Sequence, residues 1–169
     1  MPVVPIKTAR LRIRALVHDD LEQVFAVLGD EVTTAGVSWR QPDIESCRAW
    51  LRRRIEQEAE LGYSFWGVER TGVPGLIGLC GYFSHRESEL ELGYVIRADH
   101  WGHGYATEAA RAALAASRAL GRSVYATIRS TNTSSLAVAG KIGLVGQSEA
   151  IDDERGTLLQ FKWPPVSGD

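Results

Sequence analysis

Two glycines flank a histidine in the segment Gly102-His103-Gly104, between a run typical of a strand and an alanine-rich run typical of a helix. The first amides of a helix have no acceptor within it, and the helix dipole adds about half a positive charge there. Glycine lets a ligand approach the backbone where a Cβ would collide. The spacing therefore predicts a site for a phosphorylated ligand. The two glycines alone leave a second interpretation open, a tight turn between strand and helix.

Two common phosphate-binding motifs do not fit the chain. A Walker loop needs Ser or Thr after its Gly-Lys, but Gly140-Lys141 is followed by Ile142 and lacks the upstream glycine. A dinucleotide-binding fingerprint needs a third Gly or Ala where Thr107 stands. It also needs an acidic residue about 20 residues further on, and none stands there. Both classes of nucleotide site are excluded.

Composition and net charge limit the classes of protein to which the chain can belong. We expect one domain over residues 1–169, because 44% hydrophobic and 24% charged residues are ordinary for a globular protein. A net charge of −2 gives no basic face for nucleic acid or an anionic membrane. The chain has no run of ~18 apolar residues and no secretory signal core, so a cytoplasmic protein is expected. Cys47 and Cys80 lack metal or redox spacing, and no metal is expected.

Hydrophobic periodicity predicts the order strand, two helices, three strands, helix, strand, helix, two strands. The predicted strands are Thr8 to Ala15, Tyr63 to Glu69, Leu76 to Phe83, Glu89 to Ile96, Ser123 to Arg129, Val145 to Ile151 and Thr157 to Trp163. The predicted helices begin near Asp19 or Asp20, Asp43, Tyr105 and Asn132, and end near Gly29, Glu60, Leu120 and Ile142. This order predicts a mixed sheet with helices against it, an α/β or α+β layered domain.

Four segments, in order along the chain, resemble the GCN5-related N-acetyltransferases (GNAT superfamily). They are TARLRIRAL near the start, ELGYVI at Glu91 to Ile96, WGHGYATEA at Trp101 to Ala109 and NTSSLAVAGKIGL at Asn132 to Leu144. The branch most similar contains the ribosomal-protein-alanine N-acetyltransferases (RimJ/RimL type), although Leu144 stands where Phe is usual. The resemblance implies the acyl-CoA N-acyltransferase fold, with a mixed, mostly antiparallel six- or seven-stranded sheet and four main helices. It also implies acetyl-CoA as cosubstrate.

The resemblance gives the glycine segment a specific ligand, the pyrophosphate of CoA. The residues that would wrap it with main-chain amides are Trp101, Gly102, His103, Gly104, Tyr105 and Ala106. The family usually has Lys or Arg in place of the histidine, so phosphate affinity here depends more on the backbone. The strand end, Tyr94, Val95 and Ile96, would offer backbone groups to the pantetheine arm, because in this family that strand splays from the next.

The resemblance also implies the catalytic groups. Glu91 matches the family's acidic residue and is the candidate general base for the acceptor amine, with Glu89 on the same strand face as its alternative. Asn132 would contact the cofactor, and Ser135 would protonate the departing CoA thiolate. Each has a structural alternative: a solvated strand face for Glu91, a helix N-cap for Asn132 and local backbone bonding for Ser135. His85 and His100 are weaker alternatives to the carboxylates.

By analogy with the family, the acceptor amine is expected where the loop around Trp39 and the strand containing Phe65 and Trp66 meet the splayed sheet. A core position is the alternative for these aromatic residues. A protein N-terminus and a small-molecule amine both remain open, as do a monomer and a homodimer. The resemblance therefore implies an N-acetyltransferase that moves an acetyl group from acetyl-CoA to a primary amine by direct attack on the thioester. The alternative is a catalytically silent acyl-CoA-binding domain that senses the ligand or recruits a partner.

Overall fold

A computed structural model describes residues 3–86 and 88–163. In these residues the strands are β1 (Ile6–Lys7), β2 (Leu11–Arg14), β3 (Phe65–Arg70), β4 (Val73–Phe83), β5 (Glu89–Ile96), β6 (Ser123–Arg129), β7 (Val145–Asp153) and β8 (Gly156–Trp163). The α-helices are α1 (Leu21–Leu28), α2 (Ile44–Leu61), α3 (Tyr105–Leu120) and α4 (Thr133–Ile142). The predicted order of elements is confirmed.

All the strands join one sheet in the order β1-β2-β3-β4-β5-β6-β8-β7. Its neighbours are antiparallel except β5 and β6, which are parallel and are joined through α3. The mixed, mostly antiparallel sheet with four helices is therefore confirmed. The strand count in the described residues is eight, because the two-residue strand Ile6–Lys7 pairs with β2.

The helices cover both faces of the sheet, and β3 shows how the sequence divides between them. Successive side chains of a strand point to opposite faces. Phe65 packs with residues of α1 and α2, whereas the next residue, Trp66, packs with residues of α3 and α4. Apolar residues on adjacent positions of β3 thus belong to two separate cores, one on each face of the sheet.

Both ends of helix α2 are formed by residue types that are typical of helix caps. The side chain of Asp43 accepts a hydrogen bond from the amide of Ser46 at the first turn. The helix ends at Gly62, whose φ of 75° lies in the left-handed region that glycine adopts at little cost. These two caps fix the length of the helix that covers the α1/α2 face.

Strands β5 and β6 separate after three register pairs, Glu89↔Ser123, Leu90↔Val124 and Glu91↔Tyr125. On its other side β5 stays paired with β4 as far as Ile96↔Gly78. In the described residues, the β6-facing edge of β5 beyond Glu91 therefore has no strand partner. Because unpaired backbone groups need other partners, this split is a natural place for an extended ligand.

Arg14 ties β2 to the start of α1 through a buried ion pair with Asp20. Its Nη1 and Nη2 donate to the two carboxylate oxygens of Asp20, each at 2.8 Å, and its Nε donates to Glu69 at 2.9 Å. Burial alone would raise the pKa of Asp20, but the hydrogen bonds from Arg14 and the Val17 amide outweigh it and lower that pKa.

We expect Asp20→Asn to lower the free energy of unfolding by about 3 kcal/mol near neutral pH, since it breaks a buried ion pair. Because the folded-state pKa of Asp20 is depressed, its contribution is complete above the unfolded pKa of about 3.9 and is lost as pH falls through the folded value. Urea unfolding from pH 7 to pH 2 should show the gap between wild type and variant closing toward the acid end. A constant gap would contradict this assignment.

A second stability prediction concerns two glycines. A Cβ on Gly78 would overlap the carbonyl oxygen of Val95, whereas a Cβ on Gly140 meets nothing within 4 Å. Gly78→Ala should therefore destabilise the fold by about 1–3 kcal/mol through overpacking. Gly140→Ala should stabilise it by about 0.5–1 kcal/mol, because it lies inside a helix. Urea midpoints at equal m-values measure both, and equal midpoints would contradict the packing argument.

Candidate active site

The loop before α3 presents free backbone amides to solvent. Gly102 and Gly104 have φ values of 80° and 77°, in the region that favours glycine, and Gly104 is the N-cap of the helix. In the described part of the chain, the amides of residues 102–107 donate to no protein acceptor, and the first helical bond is from Glu108 to Gly104. A row of unpaired amides at a helix start is suited to a pyrophosphate.

Arg10, the residue before β2, holds this loop in place. Its Nη1 donates to the carbonyl of His103 at 2.7 Å, its Nε donates to Glu108 at 2.7 Å, and its guanidinium lies 4.8 Å from the ring centroid of Tyr105. Burial tends to raise the pKa of Glu108, but hydrogen bonds from Thr8 and Arg10 outweigh it and the pKa is lowered. Sequence patterns alone give no role to Arg10 or Glu108, although both lie in segments that resemble the family.

The side chains of the loop mostly face solvent or one another. Trp101 is 53% exposed, and its indole donates to the carbonyl of Ile96 at 2.7 Å. The His103 ring stacks on Tyr105, with 5.4 Å between centroids, and its Nδ1 lies 2.9 Å from the carbonyl of Trp101. That contact requires Nδ1 to carry the hydrogen. His103 thus stiffens the loop, and the binding of an anion by the loop amides stays a prediction.

Tyr94, Val95 and Ile96 lie beyond the last pair between β5 and β6, at the strand end to which the resemblance assigns the pantetheine arm; that role stays a prediction. The hydroxyl of Tyr94 donates to the carbonyl of Ser135 in α4 at 2.9 Å. This bond links α4 to β5 across the gap between β5 and β6. Burial is the main reason that the pKa of Tyr94 is raised, so its hydroxyl stays protonated and acts as a donor.

Asn132 caps α4, and both ends of its amide have protein partners. Its Oδ1 accepts from the Ser135 amide at 3.2 Å, and its Nδ2 donates to the carbonyl of Gly36 at 3.1 Å. The structure thus bears out the N-cap interpretation; a contact with the cofactor stays a prediction. Ser135 is half-buried in the first turn of α4, next to the split. Its role as proton donor also stays a prediction.

Glu91 lies at the point where β5 and β6 separate, with only 18% of its side chain exposed. Thr127 donates to its Oε1 at 2.8 Å, Tyr125 donates to its Oε2 at 3.3 Å, and His85 Nε2 lies 3.4 Å from that oxygen. Burial, with the charge of Glu91 next, raises the pKa of Tyr125 to about 12. Tyr125, Thr127 and His85 thus hold the carboxylate at the head of the split.

The structure separates Glu91 from its alternative, Glu89. Glu89 forms ion pairs with Arg86 at 2.7 Å and with Lys162 at 3.3 Å. The hydrogen bond from Arg86 is the main reason that the pKa of Glu89 is lowered. A carboxylate bound by two cations is a poor proton acceptor. Glu91 accepts hydrogen bonds from two hydroxyls and forms no ion pair with a Lys or Arg of the described residues, although the charge of Arg86 also acts on it.

Aromatic rings lie beside this carboxylate on the α1/α2 face. Trp39 contacts Phe65 and Phe83 edge-on, with centroid distances of 5.0 and 5.6 Å. Phe83 is the cross-strand partner of Glu91, and its ring stacks on His85 at 5.3 Å. The expected position of Trp39 near the candidate acceptor side is therefore consistent with the structure.

Trp66 lies elsewhere, and its proposed contact with substrate is not supported. It is 0% exposed in the core on the α3/α4 face, and its indole donates to Glu58 at 2.9 Å. The physical reason is the strand alternation: Phe65 and Trp66 are adjacent, so only one of them can face the α1/α2 side. On that side Phe65 is also buried, at 1% exposure, and the partly buried rings that pack against it are Trp39 and Phe83.

Other groups take no part in the site. Cys47 and Cys80 are buried free thiols, and burial raises the pKa of Cys47 to about 11. No cluster of three or more His, Cys, Asp or Glu residues suited to a metal ion occurs in residues 3–86 and 88–163. Over the same residues, no helix combines the length and the apolar character needed to span a membrane.

A split sheet with a glycine-rich helix start defines an acyl-CoA-binding domain, and comparison with known proteins specifies it. A family model described as "Acetyltransferase (GNAT) domain" matches residues 10–145. Uncharacterized protein YkkB of Bacillus subtilis (strain 168) is 31% identical over 143 residues, covering 81% of this chain and 83% of that protein. The chain belongs to the GNAT acetyltransferase family. It is an acetyl-CoA-dependent N-acetyltransferase.

Solved structures agree on the fold. The GNAT-family acetyltransferase from Bacillus anthracis superposes with a TM-score of 0.80 at 22% identity, covering 94% of this chain and 96% of that one. RimL, a ribosomal L7/L12 alpha-N-protein acetyltransferase in complex with coenzyme A, gives 0.81 at 14% identity, covering 94% and 96%. At these identities the likeness concerns the fold alone.

We expect Arg10→Met to raise the dissociation constant for acetyl-CoA by about three- to tenfold, since the loop loses two charge-assisted hydrogen bonds that hold its amides in place. Calorimetric titration of acetyl-CoA into the protein measures the change. Arg12→Met is the matched control, because Arg12 is half-exposed and 3.5 Å from its partner Glu69. Equal affinities of Arg10→Met and wild type would show that the loop does not depend on this clamp.

Proposed function

We propose that the chain acetylates a primary amine, with Glu91 as the group that accepts the proton of the acceptor. The main evidence is the position of the half-buried Glu91 carboxylate, where β5 and β6 separate. It accepts hydrogen bonds from Tyr125 and Thr127 and has no ion pair with a Lys or Arg among the described residues. A carboxylate in that state can accept a proton and release it to solvent through His85, 3.4 Å away.

The gap between β5 and β6 supports separate binding groups for two parts of the cosubstrate, the pyrophosphate and the pantetheine arm. We assign the CoA pyrophosphate to the amides of Gly102 to Ala106, which have no protein acceptor in the described part of the chain. The predicted contribution of the Trp101 amide is dropped, because that amide donates to the carbonyl of Ala98 at 3.2 Å. We assign the pantetheine arm to the free edge of Tyr94 to Ile96. Asn132 supports the opposite wall by capping α4. Acetyl-CoA, when bound, supplies the acetyl thioester that the amine attacks directly.

Proton removal is necessary because only a neutral amine is nucleophilic. At pH 7, roughly 10% of a protein N-terminus is neutral, but less than about 0.1% of a lysine side chain is. Glu91 lowers this barrier by accepting the ammonium proton as attack proceeds. We assign the return of a proton to the CoA thiolate to Ser135, whose half-buried position in the first turn of α4 supports the role.

The acceptor is either a protein N-terminus or a small-molecule amine that enters beside Trp39. The fold shared with RimL, which is named as an alpha-N-protein acetyltransferase, supports the first class. The aromatic contacts of Trp39 with Phe65 and Phe83 support an acceptor with an apolar part in either class.

We expect Glu91→Gln to lower kcat by about 10²-fold or more while leaving the affinity for acetyl-CoA unchanged, because the amide cannot accept the proton. Release of the CoA thiol in the presence of a panel of primary amines measures turnover, and titration of acetyl-CoA measures binding. Glu89→Gln is the control and should keep near-wild-type rates, since its exposed ion pairs contribute little.

Two outcomes would contradict the proposal. Full activity of Glu91→Gln combined with a large loss in Glu89→Gln would assign the base to the other carboxylate. Tight acetyl-CoA binding without transfer to any amine of the panel would favour the silent acyl-CoA-binding domain.

A further inference from the structure

Arg54 of α2 is partly buried and has no anionic partner within residues 3–86 and 88–163. Its Nε is buried without a hydrogen-bond acceptor, and no carboxylate of the described residues forms an ion pair with it. Glu58, one helical turn further on, would be the ordinary partner, but it accepts a hydrogen bond from Trp66 instead. Burial, and then the nearby charge of Arg53, lower the pKa of Arg54.

The guanidinium rests on aromatic rings rather than on acceptors. It lies 5.4 Å from the ring centroid of Phe83 and 5.7 Å from that of Trp50. Such cation–π contacts compensate part of the lost hydration, but they satisfy none of the five N–H donors of arginine. The terminal nitrogens are not buried, so they can reach a ligand from solvent.

Two other arginines of low exposure, Arg14 and Arg129, have carboxylate partners. Arg14 is held by Asp20 and Glu69, and Arg129 is bound at 2.6 Å by Asp153. Arg70 also has a buried Nε without an acceptor, but it lies at the β3–β4 turn, away from the aromatic rings of the site. Arg54 is thus a cation beside the candidate acceptor site that the described protein does not neutralise.

A chain of contacts connects Arg54 to the proposed base. Arg54 lies over Phe83, Phe83 stacks on His85, and His85 lies 3.4 Å from Glu91. Trp39 borders the same rings, since it stacks on Trp50 with 6.3 Å between centroids. The acceptor side therefore has a carboxylate at one end, an aromatic middle and a free guanidinium at the other.

We propose that Arg54 is a specificity-determining residue that binds a carboxylate of the acceptor, so that the substrate class is an amine with an anionic group beyond an apolar part. This inference rests on the proposed function, because it assigns the amine to the Glu91 end of the same site. Arginine binds carboxylates through its planar fork with charge-assisted hydrogen bonds. The carboxylate belongs to a small amino acid or to an acidic residue of a peptide.

The first test compares 4-(aminomethyl)benzoate with 4-(aminomethyl)benzamide as acceptors. We expect kcat/KM of the wild type to favour the benzoate roughly 10- to 100-fold. Arg54→Met should remove that preference by lowering kcat/KM for the benzoate alone, and Arg54→Lys should restore part of it. Arg53→Met, the same charge loss at an exposed position of the same helix, should keep it. A preference that persists in Arg54→Met overturns the proposal.

A peptide pair distinguishes the two sources of the carboxylate. Ala-Phe-Glu-amide and Ala-Phe-Gln-amide present the same N-terminal amine with and without an acidic side chain. If the preference for the anionic member depends on Arg54 only in the peptide pair, the carboxylate belongs to a peptide acceptor. If it depends on Arg54 only in the benzoate pair, the carboxylate belongs to a small molecule. Equal use of both members of each pair by the wild type overturns the proposal.

A binding measurement separates this inference from the proposed function. Quenching of tryptophan fluorescence by 4-methylbenzoate and by 4-methylbenzamide reports anion binding without turnover, and a calorimetric titration of acetyl-CoA is run on the same proteins. Preference for the benzoate in wild type and in Arg53→Met, lost in Arg54→Met, supports the site even if no amine is acetylated. Equal binding of the two probes overturns it even if acetyl transfer is observed.

Discussion

The early separation of β5 from β6 is the feature on which the rest of the site depends. After Glu91↔Tyr125 the two parallel strands diverge, while β5 continues its ladder with β4 to Ile96. Backbone groups on the open edge must find partners outside the sheet, which suits an extended ligand that carries its own donors and acceptors. The same divergence places Glu91 at the apex, where neighbouring side chains shield it but do not neutralise it.

Binding a ligand in the gap between β5 and β6 also requires that the loop after β5 keep a fixed position. Arg10 binds the loop carbonyl at His103 and the first-turn carboxylate of Glu108, so the positive end of α3 is held against β2. Glu108 would otherwise place a negative charge beside an anion-binding helix start. Pairing it with Arg10 leaves the unpaired amides of residues 102–107 as the charged or polar groups that this helix start presents, as proposed for the pyrophosphate.

Arg14 and Arg54 differ in what surrounds their charge: Arg14 holds the fold through carboxylates, and Arg54 has no described counter-ion. Arg14 and its two carboxylates join β2, β3 and the start of α1, and they form a closed set of hydrogen bonds. Arg54 lies on Trp50 and Phe83 with no described acceptor. A partly buried charge without a partner is costly to a fold. The position of Arg54, connected to Glu91 through Phe83 and His85, is therefore better explained by a ligand than by stability.

The sequence by itself determined the elements, the fold class and the glycine loop, because periodicity, caps and turn residues act over a few neighbouring positions. It also placed Glu91 and Ser135 as candidates. It could not choose between Glu91 and Glu89, which share a strand face; only the tertiary structure paired Glu89 with Arg86 and Lys162. Likewise Phe65 and Trp66 look equivalent in sequence, and the sheet alone decided which of them faces the acceptor side. Arg10 and Arg54 acquire their roles from residues distant in the chain, and local patterns carry no information about such contacts.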